Sequence, residues 1–209
     1  MLGLIQTIVE SIMYIFVFLW TPVLMDAKPP LGMVFACFMV TIMIGSSTYA
    51  LLLSKGKKAE GCLKITMIML AVSMAVCSFE ARPEGSLVDK SILYGAFLLL
   101  EIAIGMYFPA MSFLKSQVIP EGHRANVMNW FRVPMNMITC GALLSLHSEV
   151  FAHDKRIMFM MCLGLSILGI VICASFNRIM AKANTPHIVD LSDKNERACL
   201  LANESDETS

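Results

Sequence analysis

Three ionisable side chains interrupt long apolar stretches of this 209-residue chain, and any chemistry the chain performs would start with them. Arg132 stands in Asn126-Val127-Met128-Asn129-Trp130-Phe131-Arg132-Val133-Pro134-Met135-Asn136. On a helix, Asn129, Arg132, Asn136 and Thr139 recur at spacings of 3, 4 and 3 and share one face. A guanidinium is a fork of permanently charged donors, and neighbouring amides add donors that can be aimed. Together they suit a tetrahedral oxyanion. The other reading of Arg132 is an anchor that reaches lipid headgroups beside Trp130.

The two other groups are acids. Glu10 shares a helical face with Gly3, Gln6, Thr7 and Tyr14, and Tyr14, one turn away, is the expected hydrogen-bond donor to it. Glu101 shares a face with Tyr94, Gly105, Phe108 and Ser112. Gly105 permits close helix approach, and Pro109 frees the Gly105 carbonyl and bends the helix. At 1.5 Å per residue, Glu10 lies about 12–14 Å from its end of the span, and Glu101 is also near mid-depth. A charge at that depth costs about 2.5–3.5 kcal/mol, so such groups usually face a bundle interior or a wet path. A carboxyl held there can bind and release a proton. The competing readings are a protonated Glu hydrogen-bonded to a neighbouring helix, or pairing with Arg or Lys from another part of the protein.

The elements that must carry these groups follow from composition. Hydrophobic residues make up 57% of the chain and charged residues 15%. Mean hydropathy is +0.70. A soluble domain carries about 25% charge, so this composition argues against a soluble enzyme, a nucleic-acid binder or a disordered chain. With net charge zero there is no global field to recruit polyanions. A bilayer core of about 30 Å needs roughly 20 apolar helical residues. Six spans are expected: 2–24, 31–53, 62–79, 91–113, 126–147 and 157–176. The fifth has a short apolar run and reaches spanning length only between those limits. The predicted fold class is therefore an all-α membrane protein, with residues 1–176 as a six-helix unit and 177–209 as a polar, disordered cytoplasmic tail. Mid-depth acids on helices 1 and 4 match an inverted repeat of three plus three helices. Helices 1, 4 and 5 should line something wet. Helices 3 and 6 should face lipid, and Gly45-Ser46-Ser47-Thr48 on helix 2 suits packing or cavity lining.

Loop cations set the orientation. Lys55, Lys57, Lys58, Lys64, Lys115, Arg124, Arg132, Arg178 and Lys182 fall on one side; Lys28, Arg82, Lys90, Lys155 and Arg156 fall on the other. The richer side is expected to be cytoplasmic, with both termini inside. Glu196 four residues before Leu200-Leu201 resembles an acidic dileucine sorting signal, so an endolysosomal membrane stands beside the plasma membrane as a location. The seven Cys form no CxxC, and His123, His147, His153 and His187 lie at span ends or in the tail, so no disulfide framework or metal site is indicated. No HExxH, GxSxG, P-loop or GxGxxG is present, and no enzyme or cofactor is expected.

The stretch GMYFPAMSFLKSQVIPEGHRANVMNWFRVPMN, residues 105–136, resembles the signature region of the molybdate-anion transporter family of the major facilitator superfamily. QTIVESIMYIFVFLWTPVL, residues 6–24, resembles the start of that family's seventh helix. The resemblance implies that residues 1–176 are the C-terminal six-helix half of a twelve-helix carrier for molybdate or a similar oxyanion. Its partner would be the N-terminal half or a second copy. In that frame Arg132, Asn129, Asn136 and Tyr107 would bind the anion, and Glu10 and Glu101 would couple protons. The rival expectation is a non-transporting six-helix protein that pairs with or regulates a full-length carrier.

Overall fold

The computed structural model describes the backbone of residues 1–81, 87–119, 121–145 and 155–207; the side chains of 26, 87, 121, 123–125, 127–128 and 182–207 are outside the description. Six α-helices account for nearly all described residues: α1 Leu2–Leu24, α2 Leu31–Ser54, α3 Ala59–Glu80, α4 Leu87–Val118, α5 Glu121–Ser145 and α6 Arg156–Glu207. Among the described residues, five of them, α1 to α4 and α6, are long and apolar enough to cross a membrane. Arg82, His147 and His153 lie outside the described residues, as do the side chains of His123, Arg124, Lys182, His187 and the dileucine segment.

α1 and α2 keep the expected limits to within a residue, because apolar run and helix coincide there. α4 and α5 do not. α4 extends four residues before and five after its apolar core, and α5 begins at Glu121 rather than 126. Polar residues end an apolar run without ending a helix, since Lys, Glu, Gln and Arg are good helix formers. One consequence is functional: Lys115, assigned to a loop on sequence grounds, belongs to α4. α6 is drawn past the apolar run that ends at Phe176, as far as Glu207. Met1–Cys173 and Ala174–Ser209 are separate compact units, the second a helical segment.

Within the first unit, aromatic rings tie four helices together. Phe16 of α1 meets Phe38 of α2 and Phe97 of α4 edge-on, with centroids 5.8 and 5.0 Å apart. Trp20 also meets Phe38, at 5.4 Å, and Phe97 touches Phe159 of α6 at 6.1 Å. Edge-to-face pairs of this kind add about 0.5–1.5 kcal/mol beyond area burial. α2 and α4 approach most closely at Gly45 and Gly105. A Cβ on Gly105 would strike the Ile42 carbonyl oxygen, and a Cβ on Gly45 would strike the Ile102 carbonyl oxygen. Only residues without a Cβ allow backbones that near.

α3 packs on α4 through one face and turns Ile68, Val72 and Phe79 outward on the other. It buries Leu63, Thr66, Met67, Leu70, Ser73, Met74 and Cys77, and Ser73 Oγ donates to the Ala96 carbonyl of α4 at 2.7 Å. Its small polar residues are what let it settle against α4. α2 exposes the most surface of the five apolar helices.

Three cations assigned to the poorer side bind helix ends. Lys155 Nζ donates to the Pro22 carbonyl at 2.7 Å, Lys90 Nζ to the Val23 carbonyl at 3.2 Å, and Arg156 Nε to the Ser78 carbonyl at 3.2 Å. Unpaired carbonyls at a helix C-terminus favour cations. These bonds gather the ends of α1 and α3 with the starts of α4 and α6, as the alternating topology requires.

The α2–α3 turn depends on one glycine. Gly56 takes φ 77°. Its N–H reaches the Leu53 carbonyl at 2.9 Å, and the Lys57 N–H reaches Leu52 at 3.0 Å, the paired bonds of a Schellman cap. Gly56→Ala should cost about 1–2 kcal/mol, read as a lowered thermal-unfolding midpoint in detergent.

Candidate functional site

Glu10 is the meeting point of α1 and α4. It is partly buried, and the Tyr107 hydroxyl faces it, donating to Oε1 at 3.4 Å. Tyr107 is 1% exposed. The donor to Glu10 is Tyr107, not Tyr14, which is 40% exposed on its own helix. Tyr107, anticipated as an anion ligand, is a buried partner of that carboxyl. The antiparallel register of α1 and α4 brings residues 97 positions apart to one depth, and no local spacing encodes that.

α5 joins the same stretch of α1. Thr7 Oγ1 donates to the Phe131 carbonyl at 3.2 Å, and the Phe131 ring lies against Gly3, where a Cβ would strike it. The residue after Phe131 is Arg132, so this contact fixes where the guanidinium begins. Asn129, Arg132 and Asn136 are exposed together on α5, while Met135, Thr139 and Ala142 are buried. Thr139, the fourth member of the anticipated face, is therefore not with the other three. A shallow groove of about 340 Å³ is lined by Asn126, Asn129, Trp130 and Val133, and Trp130 is 78% exposed.

Glu101 stands apart from this group. It is 6% exposed, six residues before Tyr107 on α4. Six residues displace it by about 9 Å along the helix and about 120° around it. The structure thus joins Glu10 with Tyr107, presents Asn129, Arg132 and Asn136 side by side, and keeps Glu101 separate.

Lys115, expected in the segment between helices 4 and 5, lies on α4 two turns beyond Tyr107. It is partly buried and lies within electrostatic range of both Glu10 and Arg132. The available signal was its spacing of 4 and 4 from Tyr107 through Met111, which continues the Tyr107 side of α4. Gln6 and Ser11 flank Glu10 on α1. Both are buried, and Gln6 Oε1 and Ser11 Oγ have no hydrogen-bond partner among the described residues. No group of three or more His, Cys, Asp or Glu among the described residues is placed to hold a metal ion.

Spanning-length apolar helices, α1 of which carries Glu10 against Tyr107 of α4 and Thr7 against the Phe131 carbonyl of α5, define an integral multi-pass membrane protein. Residues 1–102 match a family model described as sugar transporters, 12 TM, of the major facilitator superfamily. A molybdate-anion transporter of Xenopus laevis is 41% identical over 179 residues, which is 84% of this chain and 39% of the relative. Proteins of the same name from Xenopus tropicalis and Danio rerio are each 41% identical, over 177 and 180 residues, covering 83% and 82% of this chain and 38% and 37% of the relatives. The chain is thus similar to proteins named molybdate-anion transporter and, over residues 1–102, to a family of the major facilitator superfamily. It spans about two fifths of the length of these relatives, which are named as transporters and not as enzymes. No solved structure matches.

Proposed function

We propose that this chain forms part of a secondary transporter that moves molybdate or a similar oxyanion across a membrane. The observation that carries the reading is the exposed Asn129–Arg132–Asn136 row on α5, held against α1, in a chain similar to proteins named molybdate-anion transporter. Molybdate is a small tetrahedral dianion. Arg132 supplies a permanent positive charge with directional donors, and the two amides orient the remaining oxygens. Glu10, hydrogen-bonded by Tyr107, and Glu101, a more deeply enclosed carboxyl, are the groups that would couple protons. The six helices act as one half of a carrier built from three-plus-three inverted repeats. The remaining half, or a second copy, covers the apolar residues that α2 and α5 turn outward, among them Met33, Met43, Met137 and Leu144. The carrier resides in the plasma membrane or, directed by Glu196-Leu200-Leu201, in an endolysosomal one.

Molybdate uptake by cells expressing the intact gene product tests this reading. Uptake above that of untransfected cells is expected. Glu10→Gln should abolish accumulation driven by a proton gradient while leaving downhill exchange measurable. No molybdate uptake by the wild-type protein at normal surface abundance would remove the proposal.

A further inference from the structure

We propose that Lys115 is a second cation of the anion site, acting beside Arg132, and that Glu10 is the resident counterion a divalent oxyanion replaces. The inference rests on the oxyanion reading above and deepens it. α4 remains helical to Val118, which puts Lys115 two turns beyond Tyr107 with Met111 between them. Tyr107 meets Glu10 from α4, and the Thr7 bond and the Gly3–Phe131 contact bring the Arg132 turn of α5 to the same stretch of α1. Residues 3–10 of α1 are therefore flanked by the Tyr107–Lys115 side of α4 and by the Phe131–Arg132 turn of α5. Lys115 is partly buried there, in electrostatic range of an opposite charge at Glu10 and a like charge at Arg132.

A partly buried Lys115 and an exposed Arg132 are like charges that repel one another, and an anion between them relieves that repulsion. Glu10 supplies one negative charge for the two cations, so the empty site keeps one positive charge unmatched. A dianion matches both and makes the carboxylate redundant as their counterion. The arrangement favours divalent tetrahedral oxyanions over monovalent anions of similar size. It also makes the charges of Glu10 and of the substrate alternatives at one place.

The test is equilibrium binding of sodium molybdate to the purified intact gene product. Lys115→Ala and Lys115→Gln should each weaken binding by about tenfold or more, and Lys115→Arg should stay within about threefold of wild type. Glu10→Gln should strengthen binding severalfold, because the competing carboxylate is gone. A residue that only supports the fold would not produce opposite signs at positions 10 and 115. If Lys115→Ala and Lys115→Gln yield no folded protein, Lys115→Arg and Glu10→Gln still decide. Lys115→Gln binding as wild type while Arg132→Ala loses binding would overturn this inference alone. So would Glu10→Gln binding no more tightly than wild type. Absence of molybdate binding by the wild-type protein would remove the oxyanion reading together with it.

Discussion

Arg132→Ala should lower molybdate uptake at subsaturating substrate by at least about 30-fold, with the protein still reaching the membrane. With the row covered by the remaining half of the carrier, losing the charged partner of the enclosed anion costs about 2–5 kcal/mol, and 2 kcal/mol already corresponds to about 30-fold. The fold should tolerate the change, because the Arg132 side chain is exposed and the packing of this turn is made by Phe131 and Met135. Arg132→Lys should recover only part of the activity, since an ammonium keeps the charge but not the planar fork. Uptake at varied molybdate, normalised to surface abundance, measures both. Wild-type uptake from Arg132→Ala would remove Arg132 from the site.

Gly105→Leu should abolish transport by a different route, through the scaffold. At Gly105 the backbone of α4 rests on the Ile42 carbonyl of α2, and Gly45 rests reciprocally on Ile102. The atoms in the way are backbone, so no rotamer change relieves the overlap. Overpacking of a formed core costs about 1–3 kcal/mol even where side chains can move aside. Pushing α2 and α4 apart also shifts Glu101, Tyr107 and Lys115, all of which α4 carries. The expected result is loss of the monodisperse species in detergent and uptake below about a tenth of wild type. A well-folded Gly105→Leu protein would show that this crossing is looser than drawn.

The contrast between α1 and α5 shows what was legible in the residues alone. α1 is apolar from end to end, so its limits and its mid-depth Glu10 could be read directly. α5 mixes His, Arg, Asn and Pro with apolar residues, so its apolar run underestimated its length and only its periodicity was informative. That periodicity was enough to put Asn129, Arg132 and Asn136 on one face, because a helical face is a local property. Thr139, one further turn along, is buried instead of exposed. Contacts between helices were not legible. Tyr107 reaches Glu10 through the register of two antiparallel helices, which depends on the packing at their interface and not on any local pattern. Lys115 was set aside because a charge beyond an apolar run resembles a loop residue. The α2–α4 crossing was half visible: Gly105 announced a close approach without naming Gly45 as its counterpart.

Solvent accessibility of the α5 row bears most directly on the central claim that Asn129, Arg132 and Asn136 line a wet path used by the substrate. The measurement is the rate at which a membrane-impermeant thiol reagent labels Asn129→Cys and Asn136→Cys, each in the intact protein with its native cysteines replaced and Arg132 retained. Both positions should react, and saturating molybdate should slow both, while Glu101→Cys, enclosed within the bundle, reacts far more slowly. If neither α5 position is labelled from either side of the membrane, or if molybdate leaves both rates unchanged, the row faces lipid or protein and the account fails.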